Sequence, residues 1–387
     1  MISPMKSRYC SCHHAFVGHT LLALAASVLV LAAAGKARAS TNLNLAYASV
    51  SSAQKLDLYV PTSTNGPLPL IIRIHGGAFK SGDKSDEASS LPALQARGYA
   101  VASLNYRLSS EAKFPAGAQD VKAAVRWLRA NAATYGIDAN RFAAWGGSAG
   151  SYFAVLLGVT GDQATLFDDF SLGNSNVSSA VQAVVDWFGP VDFGSMDSQQ
   201  RAAPPAACPT SWQQHDPANS PESVWLGAAL PTIPALVAQA NLINYIASAT
   251  KLPAFILSHG DNDCLVPHGQ SEELHAALTA AGTISQLSIM PGYSHADSRF
   301  ASTQTTPALD FLDLHLNPPP AMTPRLVADE LQISWPASAT GYRLEEASSL
   351  QTPGVWSAVT NAVVTTNGTS TVVLPTDSAC RFIRLVK

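Results

Sequence analysis

The chain has 387 residues, 47% of them hydrophobic and only 13% charged, with a formal net charge of −4. That exceeds one average domain and supplies enough apolar material for a sizeable core. Lys and Arg form no cluster or stripe, which excludes the electrostatic footprint of a nucleic-acid binder.

Lys6 and Arg8 precede an apolar run from Leu21 to Ala34, and Ala37-Arg38-Ala39 forms an A-x-A site. Residues 1–39 therefore read as a secretory signal peptide cleaved after Ala39. The run is shorter than the roughly 20 residues a spanning helix needs, no Cys follows it to take a lipid, and no later stretch is long and apolar enough to span a membrane. The expected location is secreted or periplasmic. Cleavage removes four of 23 bases and no acid, leaving 19 against 27 and a charge of −8. Cys10 and Cys12 leave too, so Cys208, Cys264 and Cys380 face an oxidising compartment where disulfides persist. An odd number leaves one free or intermolecular.

Two strand-like runs follow, Leu45 to Ser49 and Lys55 to Val60, the second alternating with Leu56, Leu58 and Val60 on one face. Pro61 to Pro69 reads as a loop. Leu70 to Ile74 is a buried-strand signature running into His75-Gly76-Gly77-Ala78-Phe79. Leu91 to Arg97 is a short helix, Tyr99 to Leu104 a strand, and Asn105-Tyr106-Arg107-Leu108 follows it. From Pro115, Ala118, Val121, Val125, Leu128 and Ala132 recur at helical spacing. Asp120 is expected in the first turn of that helix, and Lys122, Arg126 and Arg129 follow, as the helix dipole favours. Gly136 ends it, and Arg141 to Trp145 is the next strand. Val181 to Trp187, Ala254 to Ser258 and Ser285 to Met290 are further strands, with helices over Ser271 to Ala281 and from about Ser298 to His315. Alternating strands and helices predict a mostly parallel α/β sheet flanked by helices. Between Gly194 and Thr250 the pattern dissolves into Pro, Ala, Gln and Ser, which predicts an insertion or cap near the active face. Asn317 to Pro324 holds four prolines in eight residues, a stiff linker. Beyond it, the period-two runs at Leu331, Tyr342, Val372 and Phe382 predict a small β-sandwich. The expected domains are residues 40–316 (insertion about 194–250), a linker over 317–324 and a small β domain over 325–387.

Gly146-Gly147-Ser148-Ala149-Gly150 sits between the Arg141 strand and a helix-like stretch from Tyr152 to Leu157. Strand, sharp turn with Ser at its tip, and helix is the layout of a nucleophile elbow, in which the residues two before and two after the Ser must be small. A serine needs a base to take its proton and a carboxylate to orient that base. In such hydrolases the chain order is Ser, acid, His. Ser148 is followed by Asp261 and Asp263, beyond one strand, and by His295, beyond the next. Among the other histidines, His75 reads as a loop brace and His259 as a cap on its strand. His215, His268, His275 and His315 read as surface or packing residues, and Asp192 as structural. Ala149, Gly77 and Ala78 are the expected oxyanion donors.

His75 to Phe79, Asn105 to Leu108, Gly146 to Gly150 and His259 to Pro267 together resemble the α/β-hydrolase esterases, closest to the bacterial feruloyl and acetyl-xylan esterases related to the hormone-sensitive-lipase-like branch. The resemblance covers about residues 45 to 316. It implies an α/β-hydrolase fold and Asp263 as the acid. The chain departs from the pattern at Ala78, a third glycine in relatives, and at Gly147, where lipase-like members carry Asp. The tail from Thr323 is similar to fibronectin-type sandwiches.

Cys264 adjoins the acid and Cys208 lies in the insertion, so a Cys208–Cys264 disulfide would pin the two together, leaving Cys380 odd. The expected activity is hydrolysis of short-chain or aromatic esters, such as acetyl or feruloyl groups on plant polysaccharides, with no cofactor and no metal. The competing readings are a peptidase of the same fold and a non-catalytic binding protein on a hydrolase scaffold. The tail is either a module that contacts a polysaccharide or cell surface or a passive spacer.

Overall fold

The structure is a computed structural model and describes residues 39–63, 66–317, 320, 322–328, 330–337, 342–347, 356–375 and 382–386. Nearly all of the expected signal peptide, and Cys380, lie outside the described residues.

Eight strands form one sheet: β1 (Ser40–Ala46), β2 (Lys55–Val60), β3 (Leu68–Ile74), β4 (Ala100–Leu104), β5 (Ile137–Gly147), β6 (Ala183–Trp187), β7 (Ala254–Gly260) and β8 (Ser285–Met290). Their spatial order is β1-β2-β4-β3-β5-β6-β7-β8. β1 and β2 pair antiparallel with each other, and β2 with β4. All remaining pairs are parallel. Among the described residues the α-helices are α1 (Leu91–Ala96), α2 (Ala116–Ala130), α3 (Ala132–Tyr135), α4 (Ala149–Thr160), α5 (Met196–Ala202), α6 (Pro221–Leu226), α7 (Pro234–Ala240), α8 (Gly269–Ala280) and α9 (Arg299–Leu316).

The central strands are apolar on both faces because helices cover both. On β3, Leu70, Ile72 and Ile74 join the larger cluster with α2, α4 and α8, while Ile71 joins the cluster under α1 and α9. On β5, Phe142 and Ala144 face the first cluster, Ala143 and Trp145 the second.

Several boundaries differ from the sequence reading. β1 begins at Ser40, earlier than expected, and β3 takes in Leu68 and Pro69, read as loop. Leu68 is buried and its N–H bonds the Gly136 carbonyl, so pairing rather than composition decides it. The long helix from Pro115 is two, α2 and α3, broken at Asn131 before Gly136 caps the second in the left-handed region. In the tail, β9 (Thr323–Val327) absorbs Thr323 and Pro324 from the expected linker.

Four charges on α2 have partners that helical spacing could not reveal. Asp120 is fully buried and accepts Arg107 through the backbone N–H (2.9 Å), Nε (2.8 Å) and Nη2 (2.7 Å), and also Gln54 Nε2 (2.7 Å). Arg107 belongs to the Asn105–Leu108 motif, so that motif anchors the loop after β4 to α2. Lys122 is fully buried, with Nζ 2.7 Å from Asp168 and 2.9 Å from the Thr160 carbonyl. Arg126, also buried, donates to the Asp169 carbonyl at 2.8 Å. Asp120 falls past the first turn of α2, which holds no acid, and of the bases only Arg129 lies near the helix end, its guanidinium committed to the carbonyls of Ala139, Ser178 and Ala180.

Among its described residues the tail holds two antiparallel sheets. One has β9, β10 (Glu330–Pro336), β13 (Val364–Thr366) and β14 (Thr369–Pro375), and the other β11 (Arg343–Ala347), β12 (Ser357–Ala358) and β15 (Phe382–Val386). Ile333, Trp335, Val372 and Leu374 of the first share one apolar cluster with Leu344 and Leu385 of the second.

Removing one partner of a buried ion pair strands the other. Asp168→Ala is expected to destabilise the protein by about 3–5 kcal/mol in urea unfolding, because burial already disfavours the Lys122 charge and Asp168 is its counterion. A loss below about 1 kcal/mol would mean that the pair behaves as a surface bridge.

Candidate active site

The C-terminal ends of β3, β5, β7 and β8 converge on one edge of the sheet, where open α/β sheets place their ligand sites. Ser148 stands between β5 and α4 at φ 55° and ψ −127°, a conformation an L-residue rarely adopts. A Cβ at Gly146 would overlap the Gly150 backbone, and one at Gly150 would overlap the Ile74 carbonyl. The two small positions required by the turn are therefore required by backbone contact.

Ser148, His295 and Asp263 form one continuous hydrogen-bonded line. A carboxylate only accepts, so His295 Nδ1–H donates to Asp263 Oδ2 at 2.6 Å, and Nε2, left unprotonated, accepts from Ser148 Oγ at 2.9 Å. Asp263 Oδ1 accepts the backbone N–H groups of Leu265 (2.8 Å) and Val266 (2.9 Å). Burial pushes the Asp263 carboxyl upward, but hydrogen bonds from His259 and His295 outweigh it and hold it well below the usual carboxylate range. Asp261, the alternative acid, turns away: it accepts the Gly292 N–H at 2.6 Å and braces the turn before His295. Asp192 accepts the Gly194 N–H at 3.0 Å, a loop contact as read from sequence.

A cavity of about 490 Å³ opens at this line. Gly77, Ala78, Ser148 and His295 line it, with Phe188, Leu265 and Ala296 alongside. Gly77, Ala78 and Phe79 all have positive φ, and a Cβ on Gly77 would collide with the Ser81 carbonyl. Beneath this loop His75 is buried, stacked on Tyr106 at 4.5 Å, and donates from Nδ1 to the Gly76 carbonyl at 2.8 Å. That is the bracing role expected of it. Ala149 is the first residue of α4, directly after Ser148, and is buried.

Three features here had no sequence signal. His259 does more than cap its strand, since its Nε2 lies 3.3 Å from Asp263 Oδ2. Phe188, at φ 45°, sets its ring edge-on to His295 at 5.0 Å and against Phe300 at 4.8 Å. Asp186 is fully buried and accepts Ser151 Oγ and the Gly189 N–H (3.1 Å), tying the first turn of α4 to the Phe188 turn. Only the order of β6 beside β5 brings Asp186 under the elbow.

The segment from Gly194 to Thr250 packs against the acid loop. Gln200 Nε2 donates to the Asp263 carbonyl (3.0 Å), Ala207 N–H to Asn262 (2.8 Å), and Gln213 N–H to the Cys264 carbonyl (2.8 Å). The Cα atoms of Cys208 and Cys264 are 6.1 Å apart, within disulfide range. His215 is buried and paired with Glu222 at 2.9 Å, and Trp225 stacks on Phe79 at 4.1 Å. The insertion thus supports the site from behind. Among the described residues no cluster of His, Cys, Asp or Glu is arranged to hold a metal ion.

A family model described as BD-FAE matches residues 56–278. Among curated proteins, the chain is 29% identical to Esterase LipQ of Mycobacterium tuberculosis over 59% of this chain and 50% of that protein. It is 27% identical to Esterase LipC of the same organism, over 68% of this chain and 62% of that one. The chain thus spans between half and about three-fifths of the length of these relatives. Among solved structures, a truncated form of carbohydrate esterase from gut microbiota aligns at a TM-score of 0.63 and 33% identity, over 72% of this chain and 96% of that one.

Burial raises the Asp186 carboxyl to about 6 against an ordinary value of 3.8. Between those values the folded protein binds more protons than the unfolded chain, so this group's contribution to stability is complete below the lower value and is lost as pH rises through the upper. Asp186→Asn keeps the Oδ1 acceptor but cannot titrate. Its stability relative to the native protein is expected to improve by on the order of 2–3 kcal/mol between acid and neutral pH; a difference that is flat with pH would contradict this.

Proposed function

Since the chain belongs to the BD-FAE family, we propose that it is a carboxylic-ester hydrolase with Ser148 as nucleophile, His295 as base and Asp263 as the orienting acid. The observation that carries this is the unbroken line from Ser148 Oγ through His295 to Asp263 at the mouth of a cavity. Ser148 Oγ attacks the ester carbonyl while its proton passes to His295 Nε2. The resulting oxyanion is received by N–H groups of Gly77, Ala78 and Ala149. The carbon–oxygen bond to the alcohol breaks as His295 returns its proton to the leaving oxygen. Water then repeats the sequence on the acyl-enzyme and frees the acid. No step calls for a metal or cofactor.

The proposed substrates are short acyl or aromatic esters, acetyl or feruloyl, on plant polysaccharides. Supporting this is the similarity to a protein described as a carbohydrate esterase. Secretion is proposed on the A-x-A site and on the Cys208–Cys264 placement, which suits an oxidised bond. For the tail, a fibronectin-type sandwich is supported by two small sheets over one apolar cluster, following a catalytic domain over 40–316 and a proline-rich linker.

Ser148→Ala is expected to lose at least about 10³-fold in kcat on an aryl acetate with folding intact, and the native enzyme to prefer acetyl, butyryl or feruloyl esters over octanoyl. Near-native turnover by the variant would refute the assignment. For the cysteines, the mature protein is expected to alkylate at one thiol before reduction and at all three after it. Three labelled thiols without reduction would reject the Cys208–Cys264 bond.

A further inference from the structure

Asp263 Oδ2 has two histidine neighbours. His295 Nδ1 meets it from the cavity at 2.6 Å, and His259 Nε2 lies 3.3 Å from the same oxygen on the interior side. His259 is fully buried at the end of β7. Its surroundings define its tautomer. Nε2 also lies 3.0 Å from the Val266 carbonyl, which only accepts, so Nε2 carries the proton. Nδ1, 2.8 Å from Ser271 Oγ, then accepts the hydroxyl proton. That N–H is hydrogen-bonded to the Val266 carbonyl, and Asp263 Oδ2 lies beside it at 3.3 Å from the same nitrogen. The groups that face this ring are Asp263 from its own loop, Asp186 from β6 through space, and Ser271 from α8.

We infer that His259 is a positioning residue for the proposed triad: its Nε2–H holds Asp263 in the rotamer that meets His295 and draws charge from the oxygen on which His295 leans. The inference rests on the catalytic reading above. A carboxylate shared among four donors, here the Leu265 and Val266 amides and two imidazoles, is a weaker partner to each than one shared among three. Withdrawing His259 concentrates charge on Oδ2, strengthens its bond to His295 and favours the imidazolium. His295 then serves as a base only at higher pH. The loosened carboxylate also samples other rotamers, which lowers kcat while leaving the substrate's contacts intact. Both effects act through Asp263, so His259 touches no reacting atom.

Two variants separate the donor from the bulk of the ring. His259→Asn keeps a polar amide beside Ser271 but removes the reach to Asp263, whereas His259→Gln carries an amide N–H to roughly the Nε2 position. The readouts are the pH dependence of kcat/KM on an aryl acetate and that of Ser148 labelling by a fluorophosphonate, which needs the nucleophile and base but no ester turnover. In His259→Asn the acid limb of both profiles is expected to move up by about half a pH unit or more, with kcat down about tenfold and KM within about twofold. His259→Gln is expected to stay close to the native profile. If His259→Asn does not fold, Ser271→Ala is the substitute. Loss of the hydroxyl that polarises the ring weakens Nε2–H as a donor and moves the limb the same way by less. An unmoved limb in whichever of these two variants is used overturns the inference, and so does a Gln variant that moves as far as the Asn variant. Native protein that labels with a shifted limb in the variant but hydrolyses no ester would reject the ester reading and leave the role of His259 standing.

Discussion

The close approach of α4 to the sheet at the Ser148 turn is the constraint on which the site depends. Backbone meets backbone there: Gly150 lies against the Ile74 carbonyl, and Gly146 against Gly150. That leaves no room for a side chain at either position and forces Ser148 to φ 55°. Such strain persists only where the surroundings over-determine it. Here the surroundings are β3 on one side and β6 on the other, with the Ser148 N–H bonded to the Trp187 carbonyl at 2.9 Å and Ser151 bonded to Asp186. The strained serine, the strained Phe188 turn and the positive-φ loop at Gly77 to Phe79 lie side by side at one sheet edge. Each is held by its neighbours rather than by its own preference.

The acid loop is secured differently, by bonds from outside its own strand. Asp263 takes two backbone N–H groups from its own loop, while the residues around it are tied to the insertion through Gln200, Ala207 and Gln213. A segment with little regular pattern of its own thereby acquires a mechanical role. Its hydrogen bonds fall on the Asp263 and Cys264 carbonyls and the Asn262 side chain, none of them on the Asp263 carboxylate, so they fix where the carboxylate sits without altering its chemistry. The electrostatic adjustment comes from His259, on the other side of the carboxylate.

A chain with so few charges still places several in its interior. Asp120, Lys122, Arg126 and Asp186 are all buried, and most are matched by a partner from a loop distant in sequence. Buried charges are costly unless paired, so each pairing restricts which loop can lie where. Asp120 fixes the loop after β4 and Lys122 the loop after α4. Asp186 fixes the turn that carries Phe188 against His295.

Sequence alone determined the alternation of strands and helices, the mostly parallel sheet, the strand–turn–helix at Ser148 and the places of Asp261, Asp263 and His295 beyond their strands. These are written in period, in glycine placement and in chain order, all local properties. The choice between Asp261 and Asp263 came from resemblance; in the fold Asp261 turns to Gly292 and Asp263 to His295. What only tertiary structure decided is pairing across distance. That Leu68 joins a strand, that Lys122 and Arg126 are interior rather than solvated, that His259 reaches the acid and that Asp186 lies under the elbow depend on which elements become neighbours in the sheet. A one-dimensional pattern records which face a residue presents. It does not record what that face meets, because the partner is supplied by a segment tens of residues away.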